Sequence, residues 1–518
     1  MTIDLNSLPE DVDSLKELVR AQRALIAARE IEVTRTRVEI EKLRLELARL
    51  RRMKFGRSSE KLAQQINQLE LVLEELEASR AQLPPMPAEL APRQPRPARK
   101  PLPEHLPRES VVHEPACQCP QCGAAMRKIG EDVSEMLEYV PARFKVIRHV
   151  RPKLSCTKCE TIVQQPAPSR PIARGMAGPG LLAHVLVSKY ADHLPLYRQS
   201  QIYEREGVEL DRSTLADWVG GASNLVDPLV DALGRYVKEA AKLHADDTPV
   251  PVLEPGHGST KTGRLWTYVR DDRPAGNQDP PAVWFQYSPD RKGERPRVHL
   301  RGFQGILQAD GYAGFDQLYE DGSIVEAACW AHVRRKFHDI HEAIDSPIAL
   351  EAMQRIGALY GIEADIRGKP AEERHAVRQS RAGPLLDGVQ RWMQATLSSV
   401  SAKSELALAI RYALSRWPAL TRYRDDGRIE IDNNAAERSL RAVALGRKNY
   451  LFAGSDAGGQ RAAAMYSLIG TAKLNGLDPE GYLRTVLDRI ADHPINRIEE
   501  LLPWAIAAEP RTEDRLAA

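Results

Sequence analysis

A multidomain α/β chain is what this sequence predicts: a helical N-terminal arm, a cysteine-bearing module, helices, and then a mixed sheet. Three observations carry the expectation. Apolar residues recur at seven-residue spacing near the N-terminus, two Cys-x2-Cys pairs follow a Pro/Arg-rich stretch, and from Lys242 onward β-rich runs pass into runs alternating with helical patterns. At 518 residues the chain is too long for one ordinary core, and its 36 prolines are unevenly spread, so several modules are expected. Six cysteines in this length make no disulfide scaffold. The start, MTIDLNSLPEDVDSL, lacks a basic region and an apolar run, and no stretch of about twenty apolar residues follows, so a soluble protein of a reducing cytoplasm is expected, without a membrane partner. The net charge of +2 hides uneven local charge, which matters more for a nucleic-acid partner than the total.

The first element is a coiled coil over 1–80. Val19, Ile26, Val33, Ile40 and Leu47 keep a strict heptad, Leu43 and Leu50 open a second column, and Leu62, Ile66, Leu69, Leu73 and Leu76 resume it beyond Gly56. Self-association is favoured over a helical hairpin. Residues 81–112 read as a semi-rigid basic linker, because PRQPRPARKPLPEHLPR cannot build a packed core.

A zinc-binding module is expected over 113–165. Cys119, Cys122, Cys156 and Cys159 fall as two knuckles that close a tetrahedral site for one structural Zn²⁺, with Cys117 able to replace Cys119. Between the knuckles an alternating, hairpin-like run carries Arg143, Lys145, Arg148, Arg151 and Lys153 with no acid among them, a candidate surface for DNA phosphates. Residues 166–237 read as helical: Leu196 to Arg205, Gly207, and a new start near Asp211 or Ser213 resemble a helix-turn-helix.

The core is expected in two parts, 238–340 and 426–477, around a helical insertion at 341–425, with a C-terminal helical segment at 478–518. LHADDTPVPV, RLWTYVR and AVWFQY read as three antiparallel strands, and GILQAD and IVEAAC as strands that follow. That order is the one expected of an RNase H-like fold. Three acidic segments lie where strands end or helices begin: HADDTPV with Asp246, LQADGYAGF with Asp310, and IDNNAAERSLR with Glu437. Carboxylates gathered there suit hard divalent ions, two of which can activate both oxygens in phosphoryl transfer. Three such carboxylates repel by roughly 4 kcal/mol per pair at 4 Å in a medium of effective dielectric about 20, so bound cations are implied.

The pieces HADDTPV, KTGRLWTYVRDDRP, SPDRKGE, LQADGYAGF, ACWAHVRRKF, IDNNAAERSLR and GRKNYLFAGSDAGG resemble, in order, those of the insertion sequence 66 family of transposases. The zipper-like arm, the four-cysteine module and the segment from GLDPEGYL to ELLPW match the family's outer parts, so the resemblance covers nearly the whole chain. It implies a DDE transposase with Asp246, Asp310 and Glu437 as the acidic triad, two Mg²⁺ or Mn²⁺ per site, and double-stranded DNA, both element ends and target, as partner. A homo-oligomer of at least two copies on DNA, accessory proteins of the same element, and a place on the bacterial nucleoid follow from the same likeness.

Alternatives stand beside two of the acids. This chain has Asp-Asp in the first motif where the family more often has Asp-Glu, and neighbours on a strand face opposite ways, so only one of Asp246 and Asp247 can join the site. Asp246 is preferred from its place in the motif. Asn434-x-x-Glu437 also fits a capping box, and Asp432 competes as third ligand. Cys329 and His332 make a Cys-x2-His, too few ligands for a closed zinc site and more suited to packing or hydrogen bonding than to catalysis. Arg334, Arg335 and Lys336, and Arg438, Arg441, Arg447 and Lys448 near Glu437, are candidate DNA contacts. The rival readings are a catalytically inactive DNA-binding regulator and a nuclease that never joins ends.

Overall fold

The computed structural model describes residues 102–508, with breaks at 105, 115–117, 119–121, 123, 125, 141–142, 174, 255–259 and 447–452, and isolated positions between Asp13 and Ala27. The coiled-coil arm, most of the linker, Cys117, Cys119, Arg447 and Lys448 lie outside the described residues. Mixed α/β architecture is borne out, with two sheets and many helices.

The upstream sheet has the order β1-β3-β2, with β4 also on β3. β2 (Met126–Val140) and β3 (Arg143–Cys156) form a long antiparallel hairpin, β4 (Ile162–Gln164) returns on β3, and β1 (Arg108–Val112) lies parallel to it. The linker expected to reach 112 therefore ends sooner, because RESVV after Pro107 has no proline and every amide is free to join a ladder. Glu138, 3% exposed, fastens this hairpin to α1 (Pro179–Tyr190): its carboxylate accepts from the amides of Gly180 and Leu181 at 3.3 and 2.8 Å, where the helix dipole favours negative charge.

The turn of the expected helix-turn-helix is present. α2 (Leu196–Arg205) ends before Gly207, whose φ of 83° suits glycine, and α3 (Arg212–Lys238) starts after Asp211. However, α3 runs for 27 residues and buries Leu215, Val219, Val226, Leu229 and Leu233 completely. It is a core helix, with little free face for a groove.

The central sheet has the order β7-β6-β5-β8-β9. β5 (Lys242–Leu253), β6 (Thr260–Arg270) and β7 (Ala282–Ser288) are antiparallel neighbours, while β8 (Gly305–Ala309) and β9 (Ile324–Ala327) continue in parallel from β5. The short α4 (Glu294–His299) joins the two halves. On one face, Trp266, Tyr268 and Leu307 belong to the cluster built on α1 and α3; on the other, Leu265, Val269, Val283 and Phe285 pack with α11 (Asn434–Gly446) and α12 (Asp456–Leu474).

Both sheet edges are engaged. Ser467 and Thr471, one turn apart on α12, accept from the amides of Phe285 and Val283 on β7 at 2.8 and 3.1 Å. Four helical residues rise about 6 Å and two strand residues nearly 7 Å, which lets the two hydroxyls match alternate outward amides. On the other side Arg422 donates to the Glu326 carbonyl of β9 at 2.9 Å, and the Ala328 amide just beyond it donates to Ala419.

Between β9 and α11 stand α5 (Trp330–Ile344), α6 (Pro347–Ile366), α7 (Ala371–Val377), α8 (Gly383–Ser399), α9 (Glu405–Ser415) and α10 (Trp417–Asp425). Ser346 and Ser404 cap α6 and α9 through their side chains. These helices own a core around Trp330, Val333, Phe337, Ile356, Leu359 and Ile410, which meets the sheet at Ile306 and Ala327. A buried ionic knot sits within. Arg378, wholly buried, donates to both oxygens of Glu363 at 2.8 and 2.6 Å and to the carbonyls of Tyr423 and Asp426, while Arg374 reaches Glu430 at 2.6 Å. α13 (Pro479–Arg489) and α14 (Pro503–Ala508) close the C-terminal side. Among the described residues no helix is long and apolar enough to cross a membrane.

Candidate active site

Strand register brings the first two acids together. Ala245 and Ala309 are the last partners of the parallel β5–β8 ladder, so Asp246, within β5, and Asp310, just past the end of β8, follow side by side. Across β6, Asp246 pairs with Thr267, whose neighbours Leu265 and Val269 belong to the face covered by α11. Glu437 lies in the first turn of α11, on that same side of the sheet.

The neighbouring charges act on Asp246. Burial, then the charge of Asp310, and more weakly those of Asp247 and Glu437, push the Asp246 carboxyl up to about 7, against a stabilising bond from the Asp247 amide at 2.7 Å. Paired carboxylates such as Asp246 and Asp310 suit hard divalent cations. Among the described residues Glu437, on the same side of the sheet, is grouped at ligating distance with Cys329 and His332 rather than with the two aspartates. The sign of the pH dependence follows. Asp246 starts near 3.8 unfolded, so its protonated form stabilises the metal-free fold fully below about pH 4, and that stabilisation is lost as pH rises through about 7. The melting temperature of metal-free protein is expected to fall between pH 5 and 8 more steeply than that of Asp246→Asn. Added Mg²⁺ or Mn²⁺ should recover the loss at pH 8. Parallel pH profiles of the two proteins without metal would refute this.

Asp247 faces the other way, as strand parity requires. Its side chain, fully buried, is held by Arg291 through Nε and Nη2 at 3.0 and 2.7 Å and by Arg264 Nη1 at 3.0 Å. The Arg291 guanidinium also lies over the Tyr312 ring, 4.0 Å from its centroid. Asp310 accepts from the Tyr312 amide at 3.3 Å, and the intervening Gly311 carbonyl accepts from Arg416 of the α9–α10 corner at 2.9 Å. Arg416 also pairs with Glu326 at 2.8 Å, and a Cβ on Gly311 would stand 2.7 Å from its guanidinium carbon. The helical insertion thus grips the loop carrying the second acid.

Around Glu437 the capping-box reading fails for a local reason. The box needs the Asn434 amide to reach Glu437, but that amide donates to Asp432; the helix already begins at Asn434, and the preceding Asn433 amide donates to the Cys329 sulfur at 3.2 Å. Asp432 turns onto that helix start, accepting from the Asn434 amide and side chain at 3.1 and 2.8 Å. Glu437 stands 3.9 Å from His332 Nε2 and 3.7 Å from Arg335 Nη2. Asn433 is a residue that sequence reasoning missed: wholly buried, it donates to the Ala245 carbonyl at 2.8 Å and pairs with His244 Nδ1 at 3.1 Å. One amide side chain therefore ties the strand of Asp246 to the helix of Glu437. Only its place inside the acidic motif signalled it.

Cys329 precedes α5 and is buried, which pushes its thiol up to about 12. Lys336 lies over the Tyr412 ring at 4.6 Å, and Arg441 is exposed one turn beyond Glu437. Arg438, expected beside Glu437, lines instead a cavity of about 300 Å³ with Arg273 and Lys473, because the next helical position lies about 100° round the axis.

Upstream, the Cys122 sulfur lies 3.6 Å from those of both Cys156 and Cys159. Tetrahedral zinc with bonds of about 2.3 Å sets its sulfurs about 3.8 Å apart, so these three thiols stand at zinc spacing. The basic strand is less free than its linear pattern implied. Lys145 pairs with Glu109 of β1 at 2.8 Å, and Arg151 and Lys153 share Asp132 of β2 at 3.6 and 2.7 Å. Arg143 and Arg148 are exposed. Strand pairing supplies acids that the linear sequence keeps distant.

A sheet that sets two carboxylates side by side where its parallel ladder stops, in a chain that also carries a thiol cluster at zinc spacing, is the kind of scaffold on which hard cations can act on phosphodiesters. Comparison with known families places it. The family model described as the transposase IS66 family matches residues 174–461, the zinc-finger binding domain of transposase IS66 matches 116–160, the IS66 C-terminal element 467–504, and the transposase C of IS166 homeodomain 42–111. The chain belongs to the IS66 transposase family. It is similar to the uncharacterized proteins y4hP, y4jD and y4qI of Sinorhizobium fredii: 44% identical to the first over 87% of this chain and 86% of that protein, 42% to the second over 78% and 81%, and 42% to the third over 80% and 78%.

Proposed function

We propose that this protein is a DNA transposase that cleaves the ends of its insertion sequence and joins the freed 3′ hydroxyls to target DNA. In this reading the central sheet is an RNase H-like core and Asp246, Asp310 and Glu437 are its acidic triad. The observation that carries it is the strand register that sets Asp246 beside Asp310 on the face covered by the helix of Glu437, while Asp247 turns to the other face and pairs with Arg264 and Arg291.

The three carboxylates would hold two Mg²⁺ or Mn²⁺ ions, which when bound supply an acidified water and stabilise the attacking and leaving oxygens. Asp246 sheds its proton to take up that role. Asn433 keeps its strand and the helix of Glu437 in register, and Arg416 fixes the loop of Asp310. Water attacks the phosphodiester at the element end, leaving a 3′ hydroxyl. That hydroxyl then attacks a target phosphodiester at the same acids: its oxygen bonds to the phosphorus, the target P–O3′ bond breaks, and the freed target 3′ oxygen takes up the proton, with no covalent protein intermediate. Arg335 and Arg441 stand near Glu437 to meet backbone phosphates, while Arg143 and Arg148 offer a second contact on the cysteine module. Two ends must be held at once, so at least a dimer acts on DNA, in a bacterial cytoplasm at the nucleoid, with accessory proteins of the element as further partners.

The test is a strand-transfer assay with duplexes carrying the inverted repeats that flank the gene. Nicked ends and joined products, both dependent on Mg²⁺ or Mn²⁺, are expected. Cleavage without joining would leave a nuclease, and binding without nicking a regulator.

A further inference from the structure

We propose that Cys329, His332 and Glu437 form a second cation site, for thiophilic ions such as Zn²⁺, whose occupation withdraws Glu437 from the acidic triad. One ligand atom from each of the three lies within 4.8 Å of the others. His332 Nδ1 and Glu437 Oε1 are both buried without a hydrogen-bond partner among the described residues. The site is built by two helix starts. Cys329 precedes α5, His332 is in its first turn, and Glu437 is in the first turn of α11. The Asn433 amide on the Cys329 sulfur locks these two starts together.

The donor set decides the ion. Thiolate, imidazole and one carboxylate are the ligands of zinc and its neighbours, whereas Mg²⁺ and Ca²⁺ take oxygens. Tetrahedral zinc wants its ligand atoms roughly 3.3–3.8 Å apart, so the three need to close by about an ångström, within reach of small side-chain rotations. The positive ends of both helix dipoles face the site and work against the burial that disfavours the Cys329 thiolate, and the bound ion itself displaces the thiol proton. On binding, the Cys329 S–H bond breaks, a sulfur–metal bond forms, and the proton leaves to solvent. Water would complete the fourth position. Because Glu437 serves both clusters, an ion held with Cys329 and His332 pulls it away from Asp246 and Asp310. That competition rests on the catalytic reading of Glu437; the binding does not.

The experiment uses the full chain, its upstream cysteine module first filled with Zn²⁺, and titrates Co²⁺ as a coloured probe. A thiolate-to-Co²⁺ absorption band at one further equivalent is expected, absent in Cys329→Ser and weakened at least tenfold in affinity in His332→Ala. Circular dichroism checks that each variant is folded, and His332→Ala stands in should Cys329→Ser fail. Equivalent micromolar Zn²⁺ should lower Mg²⁺-dependent cleavage more than tenfold in the unaltered protein. A band that persists in both variants, no band in the unaltered protein, or binding without inhibition would each overturn the proposal. Loss of cleavage in every condition, with the band behaving as expected, would fault the catalytic reading instead.

Discussion

An Asp310→Asn protein is expected to bind element-end DNA as tightly as the unaltered chain and to cleave it slower by on the order of 10³-fold or more, as loss of a positioned electrostatic group at a reacting centre costs. Asparagine keeps the volume and can still accept from the Tyr312 amide, so the loop clasped by Arg416 should stay in place. What goes is one negative charge beside Asp246, which should let the Asp246 carboxyl ionise more easily and weaken cation binding by the whole cluster. The two effects are separable: filter binding of the duplex reports the first, single-turnover cleavage in Mg²⁺ the second. Unimpaired cleavage would remove Asp310 from the triad.

The second large effect concerns stability rather than chemistry. Glu363→Ala should cost about 3–5 kcal/mol in denaturant unfolding, because it leaves Arg378 wholly buried without the carboxylate that meets two of its nitrogens. Arg374, 3.5 Å from the same carboxylate, would keep Glu430. Replacing both partners of the principal pair, as Glu363→Leu with Arg378→Met, should recover much of the loss, since an apolar pair leaves no buried charge uncompensated. A cost below about 1 kcal/mol for Glu363→Ala would mean that solvent reaches the knot.

Much of the site's plan could be read in the sequence because strand periodicity is local. Neighbours on β5 must face opposite sides, and the register Asp246–Thr267 and Asp247–Trp266 assigns each aspartate its side. The cysteine spacing and the helical pattern over 341–425 were legible for the same reason, although the first of those helices begins earlier, at Trp330. The illegible parts depend on pairing between distant segments. Nothing near Arg151 or Lys153 announces Asp132, and nothing in the HADDTPV motif announces Arg291 or Arg264. A helix-turn-helix pattern could not reveal that α3 spends its apolar face inside the core. Asn433 carried no signal beyond its neighbours, because its value lies in reaching a carbonyl on a strand nearly two hundred residues upstream.

The central sheet is closed at both sides by side chains and loops of its own chain: Ser467 and Thr471 along β7, Arg422 and Ala419 along β9. Exposed strand edges are where separate molecules most readily stitch their backbones together, whether as ordered assemblies or as insoluble fibres. Here that seam is already sewn, so a pairing of two copies over DNA, as the proposed function requires, would fall to surfaces other than these strand edges. Unsealing β7, as Ser467→Ala with Thr471→Val does, would trade that discrimination for indiscriminate stickiness.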